Sequence, residues 1–157
     1  MLQINRKTDY AVRVILALAR HPQGTRLATG VIQREMLIPQ AFLPRIVAQL
    51  ANAGLVKTYP GRDGGLELPH HAESITLKDV VEVFEGPLLL SECMESHGAD
   101  DCPFRGGCPV SSKWGRVQAA MVKEMDSITF KDLADEAIEM AGIRSGNHTR
   151  RGMRVKK

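Results

Sequence analysis

The three cysteines of the chain lie close together, at Cys93, Cys102 and Cys108. Three thiols cannot all pair within one chain, so a purely disulfide role leaves one thiol over. The same segment is rich in glycine and proline, which let a backbone fold closely around a bound group. This clustering indicates ligation of a metal or an iron–sulfur cluster.

The spacing of the cysteines favours a cluster over zinc. Eight residues separate Cys93 from Cys102, and five separate Cys102 from Cys108. Structural zinc sites usually pair ligands about two to four residues apart, which makes a zinc module a poor fit. Iron–sulfur clusters accept thiolates from longer loops, although three cysteines leave one position of a cubane cluster for another ligand. Free thiols that are oxidised directly remain an alternative.

The composition points to a small protein of a reducing compartment. The 157 residues allow one domain, or one small domain with an appendage. The sequence has no stretch of about 18 apolar residues and no signal-peptide pattern at its start, which predicts a cytoplasmic protein without a membrane partner. In the cytoplasm, clustered cysteines are metal ligands or redox sensors more often than disulfides.

Charge divides the chain into three parts. Residues 1–70 carry nine Lys/Arg against four Asp/Glu, whereas residues 71–143 carry six against fourteen. Residues 144–157 carry six basic residues and no acidic one. The basic first part is typical of a surface that meets a polyanion, although ordinary surface variation can give the same imbalance.

The first 70 residues show the pattern of a winged helix-turn-helix domain. Apolar periodicity predicts helices over about 8–20, 28–37 and 40–53. Two short strands, 55–59 and 66–68, then flank a glycine-rich turn. We therefore expect a mainly α fold with one small β-hairpin.

Residues 71–143 are predicted to hold a connecting helix, the cysteine loop and a long helix. The pair Thr76 and Asp79 forms a capping pattern at the start of the first of these helices. Ser111 or Ser112 can cap the long helix after the loop. That helix has a narrow apolar seam, formed by Val117, Met121, Met125 and Ile128.

The end of the chain is predicted to be one more helix followed by a tail. Thr129 and Asp132 repeat the capping pattern, and the helix is expected to end at Gly142. Residues 144–157 are polar and basic without periodicity, which predicts a disordered tail.

Six residues of the first part are candidates for contact with double-stranded DNA. On the third helix, Gln40 can pair bidentately with adenine and Arg45 with guanine. Arg62 at the hairpin tip can enter the narrow minor groove. Three flanking residues suit phosphate contact: Arg34, Lys57 and Tyr59. Each of the six could be a solvated side chain, but as a group they favour DNA binding.

Taken together, these features resemble the Rrf-two (BadM-type) winged-helix transcriptional regulators, in particular the iron–sulfur branch that includes NsrR, RirA and IscR. The resemblance covers about residues 1–140. Besides the three cysteines, the matching segments are TDYAVR (8–13), FLPRIV (42–47), AGLV (53–56), GRDGG (61–65), LKDVV (77–81) and ITFKDL (128–133).

The resemblance implies a homodimer, joined through the long helix, in which each subunit reads half of a palindromic operator. It implies that Cys93, Cys102 and Cys108 hold an iron–sulfur cluster whose state controls DNA binding. In the nitric-oxide-sensing branch, a carboxylate at the position of Asp9, from the partner subunit, completes a [4Fe–4S] site. In the IscR branch, a histidine at the position of Ser111 completes a [2Fe–2S] site. Because this chain has serine there, a [4Fe–4S] cluster is favoured over [2Fe–2S].

The chain departs from the family pattern in its first cysteine gap, which is longer than the family's typical five residues. The sensed signal, whether nitric oxide, iron or redox state, therefore stays open. The expected function is a cluster-controlled repressor, and a cluster-free thiol-redox sensor of the same fold is the alternative. An enzyme with a cysteine nucleophile is disfavoured, because His97, the only histidine near the cysteines, lies in an acidic loop.

Overall fold

A computed structural model describes residues 3–91, 94, 102–104 and 106–150, with the backbone alone for 143–150. This part of the chain contains six α-helices and one two-stranded antiparallel sheet. The helices are α1 (Arg6–Ala19), α2 (Thr29–Glu35), α3 (Leu43–Asn52), α4 (Leu77–Glu85), α5 (Ser111–Ser127) and α6 (Phe130–Arg150), and the strands are β1 (Lys57–Tyr59) and β2 (Gly65–Glu67).

Helix α1 lies at the centre of the fold and contacts α2, α3, α4 and α6. It begins two residues earlier than expected, because the Asn5 side chain accepts hydrogen bonds from the backbone N–H groups of Lys7 and Thr8. Its apolar stripe, including the fully buried Val14 and Ile15, forms the middle of the hydrophobic core. Burial of this stripe fixes the position of the helix-turn-helix and the hairpin around it.

Helices α2 and α3 are both shorter than the periodicity predicts. The expected third helix over 40–53 begins only at Leu43, because Phe42 N–H donates to the Pro39 carbonyl in a turn that precedes the helix. Pro44 occupies the first turn of α3, where its missing N–H costs least. Leu37, in the turn after α2, has a positive φ of 52°.

The hairpin forms as expected, with Thr58 opposite Leu66. Leu27 extends the sheet, because its N–H donates to the Leu66 carbonyl and its own carbonyl accepts from the Leu66 N–H. The backbones of Leu27 and Gly65 approach each other closely, because a Cβ on Gly65 would lie 2.4 Å from the Leu27 carbonyl oxygen. The segment before α2 is thereby hydrogen-bonded to the β1–β2 hairpin, which is the wing of the winged helix-turn-helix.

Helices α4 and α6 begin side by side. The predicted capping boxes form at both, between Thr76 and Asp79 and between Thr129 and Asp132. An antiparallel bridge between Thr76 and Thr129 joins the two starts. The chain must therefore leave the far end of α4 and return through α5 to the start of α6. Within the described residues, no helix is long and apolar enough to cross a bilayer.

Two predicted helix ends are wrong. Neither Ser111 nor Ser112 caps α5; Val110 is the N-cap residue and makes no side-chain cap, while the Ser112 hydroxyl donates instead to the Pro109 carbonyl. Helix α6 continues to Arg150 rather than ending at Gly142, so the first part of the predicted tail is helical. No proline interrupts 143–150, and glycine weakens a helix without breaking it. The rest of the tail, 151–157, lies outside the described residues.

Candidate DNA-binding surface and cysteine segment

Helix α3 presents a polar face to solvent. It buries Leu43, Ile46 and Leu50 and leaves Arg45 and Gln49 exposed. The structure therefore places Arg45 on the helix as predicted. Gln40 is not on the helix but in the exposed turn that precedes it, because the chain is not helical before Leu43.

A groove beside α3 adds a residue that the sequence analysis missed. Lys7, from the first turn of α1, lines this groove together with Arg45, Gln49 and Phe42. Packing of α1 against α3 brings Lys7 there, and no local sequence pattern relates position 7 to position 45. Lys7 and Arg45 give the groove a positive charge. Arg34 is exposed in the last turn of α2.

The tip of the wing is a tight turn that carries Arg62. Gly64 N–H donates to the Gly61 carbonyl at 3.1 Å, and Gly61 has a positive φ of 98°. A Cβ on Gly64 would lie 2.2 Å from the Tyr59 carbonyl oxygen, so this position accepts only glycine. Arg62 is exposed at the tip.

At the base of the wing, two cations share one aromatic ring. The Arg26 guanidinium carbon lies 3.5 Å from the centre of the Tyr59 ring, and the Lys57 Nζ lies 5.0 Å from it. Hydrogen bonding with the Tyr59 hydroxyl raises the pKa of Lys57 above its ordinary value. Arg26 was not predicted, because only the Leu27–Leu66 bridge brings it to the wing.

Two of the three cysteines are described, and both are half-buried free thiols. Between Cys102 and Cys108 the chain makes a tight turn, in which Gly107 N–H donates to the Phe104 carbonyl and Gly106 has a φ of 84°. Cys93 lies outside the described residues. In the described part of the chain, no three His, Cys, Asp or Glu side chains are grouped to hold a metal.

Asp9 makes an ion pair with Arg13 on the surface of α1. The Asp9 Oδ2 accepts from Arg13 Nη2 at 2.7 Å, and the two side chains are 49% and 40% exposed. Arg13 also donates to the Met36 carbonyl, at 3.3 Å. The carboxylate is thus occupied by a local partner and still accessible from outside the chain.

A polar contact links the start of α1 to the end of α4. The Glu85 carboxylate accepts from the Asn5 backbone N–H at 3.0 Å and from the hydroxyl of the fully buried Thr8. The Thr8 hydroxyl lowers the pKa of Glu85 below its ordinary value, and the Asn5 N–H acts in the same direction. Glu85 is the last residue of α4, so this contact fixes the point from which the chain leaves toward the cysteines.

Helix α5 carries apolar side chains that the described part of the chain leaves exposed. None of its 17 residues, all of them described, is buried. The predicted seam extends toward the N-terminus through the exposed Val110 and Trp114, which precede Val117 at helical spacing. Met121 lines a cleft together with residues 87–90, which follow α4.

A winged helix-turn-helix whose wing and third helix expose basic side chains defines a DNA-binding transcriptional regulator. The sequence profile of the Rrf2 family, described as iron-dependent transcriptional regulators, matches residues 4–136. The chain belongs to this family. The predicted fold and the prediction of a regulator rather than an enzyme are confirmed.

Three relatives illustrate the range of the family. Protein aau3 of Rhizobium meliloti is 35% identical over 133 residues, which are 84% of each chain. CymR, the global cysteine regulator of B. subtilis, superposes with a TM-score of 0.71 and 29% identity over 87% of this chain and 98% of its own. IscR of T. potens gives a TM-score of 0.67 and 26% identity over 87% and 88%. The iron–sulfur branch, the domain boundaries and the roles of single residues stay predictions.

Proposed function

We propose that this protein is a homodimeric repressor whose binding to a palindromic operator is controlled by an iron–sulfur cluster. Cys93, Cys102 and Cys108 would hold the cluster, and Asp9 of the partner subunit would complete it. The observation that carries this proposal is the position of the cysteines in the sequence. All three lie between α4 and α5, in the segment that joins helices α1–α4 and the hairpin (residues 6–85, here called the head) to the apolar helix α5.

The head supports contact with DNA through two elements. Arg45 on α3 can reach base edges in the major groove, and Arg62 at the wing tip can reach the minor groove. Gln40, in the turn before α3, remains a candidate for base contact, as does Arg34 for phosphate contact. The exposed cations Arg34, Arg45 and Arg62 suit the phosphate backbone, whose contacts supply a large share of the affinity in protein–DNA complexes.

Helix α5 supports the homodimer. Val110, Trp114 and Val117 are each 44–53% exposed and follow one another at i, i+4 and i+7, the spacing of a coiled-coil stripe. A second copy of α5 offers the complementary stripe, and a two-fold axis pairs such surfaces with themselves. Two heads joined in this way match the symmetry of a palindromic operator.

The surroundings of Cys102, Cys108 and Asp9 support the proposal of an iron–sulfur cluster. Cys102 and Cys108 are free, half-buried thiols on either side of a tight turn, so they are accessible to iron without being fully solvated. The ion pair of Asp9 with Arg13 is no obstacle, since a surface pair of this kind contributes about 0.3–0.5 kcal/mol. A carboxylate also keeps further lone pairs when it accepts one hydrogen bond. When bound, the cluster supplies a centre that nitric oxide, oxygen or iron loss can alter.

The chain's own connections suggest how such a change reaches DNA. The cysteine segment begins just beyond Glu85, which is hydrogen-bonded to the start of α1, and it ends at α5. Asp9 lies on α1 of the head. A link from the cysteine segment of one subunit to Asp9 of the other would fix the angle between the two heads. Loss of that link would shift the spacing of the two α3 helices.

The alternative is a regulator of the same fold that senses thiol oxidation without a cluster. The observation that favours it is the likeness to CymR, which is described as a global cysteine regulator. A structure of Staphylococcus aureus CymR in an oxidised form also resembles this chain, with a TM-score of 0.64 and 26% identity over 85% of this chain and 96% of its own.

Anaerobic purification separates the two functions. Iron, sulfide and a visible absorption band are expected in the isolated dimer, with Mössbauer spectra that define the cluster type. Titration with nitric oxide, oxygen and a chelator then identifies the signal. A colourless protein that retains full signal-dependent DNA binding would establish the thiol alternative.

Asp9→Ala tests the fourth ligand. We expect altered cluster spectra and faster cluster loss with an unchanged fold. The matched control is Asp135→Ala, which removes another i, i+4 ion pair, with Lys131 on α6. If Asp9→Ala and Asp135→Ala both leave spectra and loss kinetics at wild-type values, Asp9 is not a ligand.

A further inference from the structure

The base of the wing presents two positive charges at a fixed place. Arg26 and Lys57 both lie over the ring of Tyr59, at 3.5 Å and 5.0 Å from its centre. A guanidinium over an aromatic face is attracted by the negative charge density of the ring, which limits the freedom of a long side chain. The ring therefore holds Arg26 in a restricted position.

The backbone under Arg26 is equally constrained. Leu27 exchanges two hydrogen bonds with Leu66 of β2, at 2.9 and 2.8 Å. The Arg26 side chain passes directly over Gly65, where an added Cβ would lie 3.2 Å from its Cγ. The segment before α2 is thus joined to the wing by two hydrogen bonds and by close packing beside the Tyr59 ring.

The charge of this unit is not neutralised within the described part of the chain. The ion pairs there join Arg13 to Asp9, Lys78 to Asp126 and Lys131 to Asp135, and none involves Arg26 or Lys57. Glu67 stands opposite Lys57 in the hairpin register and attracts it, without forming an ion pair. Two exposed cations on one ring, with no carboxylate bound to them, are complementary to a phosphate group.

We propose that Arg26 binds a phosphate of the DNA backbone, with Lys57 as the second cation of the same site and Tyr59 as a positioning residue that holds the guanidinium. This inference rests on the proposed DNA-binding function. Tyr59, for which the sequence predicts a phosphate contact, then has a positioning role instead, and Arg26 adds a residue from outside the wing. The segment before α2 and the wing would then contact the same phosphate of the DNA backbone.

The test is the salt dependence of binding to a short duplex of random sequence, because phosphate contacts do not depend on sequence. The logarithm of the binding constant falls with the logarithm of salt concentration, with a slope of about 0.9 per phosphate neutralised. Arg26→Gln is expected to reduce this slope by about one contact. Arg26→Lys, which keeps the charge, is expected to keep the slope. Lys131→Gln is the control, since it removes a positive charge on α6.

Tyr59 variants separate a positioning role from a general structural one. Tyr59→Phe keeps the ring and is expected to bind with the wild-type slope, whereas Tyr59→Leu should lose slope toward the value of Arg26→Gln. Thermal unfolding of each variant confirms that the head is intact. An unchanged slope in Arg26→Gln, with wild-type protein binding the duplex, overturns this inference alone. Failure of the wild-type protein to bind any duplex overturns the proposed DNA-binding function as well.

Discussion

The head and helix α5 differ in how their apolar side chains are covered. In the head, side chains such as Ile15, Ile32 and Leu50 have no solvent-accessible surface, and they pack into one core around α1. In α5, Val117 remains 53% exposed and no residue is buried. The head therefore derives its stability from burial within one chain, whereas α5 has apolar surface available for another chain.

This difference separates two kinds of mutational effect. Truncation of a core side chain in the head should lower the free energy of unfolding of each subunit. A change on the apolar stripe of α5 should leave the subunit folded and alter association. The cysteine segment, residues 86–110, lies between the two regions in sequence, as the proposed function requires of a segment that links a chemical change to their relative position.

The largest expected effect is that of Ile15→Ala in the head. Ile15 is fully buried on α1, and removing such a side chain leaves a cavity that costs about 2–5 kcal/mol. Urea unfolding followed by circular dichroism measures the loss. Leu16→Ala, at the half-buried neighbouring position, is expected to cost less. Equal losses for the two variants would contradict a core centred on this face of α1.

The next effect is that of Val117→Glu on α5. A carboxylate in an apolar interface must be desolvated without a partner, so the dimer is expected to weaken by about tenfold or more, while the subunit keeps its fold. Analytical ultracentrifugation over a concentration series measures the change. Lys123→Glu, exposed on the same helix but away from the stripe, should leave association nearly unchanged. Equal dimer dissociation constants for Val117→Glu and Lys123→Glu would show that the stripe is not the interface.

The parts of the fold that sequence alone predicted are those whose signals are local. The capping boxes at Thr76 and Thr129 are encoded within four residues, and both form as expected. The hairpin follows from the glycine-rich turn at 61–65 between two short strand-forming segments. Helix α1 follows from its apolar period, and only its first turn, capped by Asn5, was missed.

The parts that escaped prediction depend on contacts between distant positions. Arg26 reaches Tyr59 only through the bridge between Leu27 and Leu66, a pairing that no sequence period reveals. Lys7 reaches the groove of Arg45 because α1 packs on α3. The start of α5 was wrong because a serine at a helix start need not cap it. The proposed ligand Asp9 follows only from the family resemblance, because cysteine spacing within one chain carries no information about a residue that a partner subunit would supply.

A smaller effect, of about 1 kcal/mol, is expected for Glu85→Gln at the junction of the two regions. The folded-state pKa of Glu85 lies below its ordinary 4.5, because Thr8 and Asn5 donate hydrogen bonds to the carboxylate. The ionised group therefore stabilises the fold above pH 4.5, and that contribution disappears as the pH falls through the folded-state pKa. Unfolding free energies measured across this range should show a difference between wild type and variant that vanishes in acid.

A matched comparison for Glu85 is Asp132 on α6. Its pKa is also lowered, chiefly by the Thr129 hydroxyl, but the carboxylate is exposed. Asp132→Asn should therefore show the same direction of pH dependence with a smaller amplitude, since solvent screens the charge. A pH-independent difference between wild type and Glu85→Gln would show that the link between α1 and α4 does not depend on the charge of Glu85.

The smallest expected effect is a gain in stability from Leu37→Asn in the head. Leu37 has a φ of 52° and is 79% exposed, so it bears the cost of a left-handed backbone while burying little surface. Asparagine tolerates this conformation better, and a gain of about 0.5–1 kcal/mol is expected in urea unfolding. Leu37→Ala separates the causes, because it removes the exposed side chain but keeps the backbone strain. If alanine stabilises as much as asparagine, the exposed leucine rather than the left-handed turn is the source of the cost.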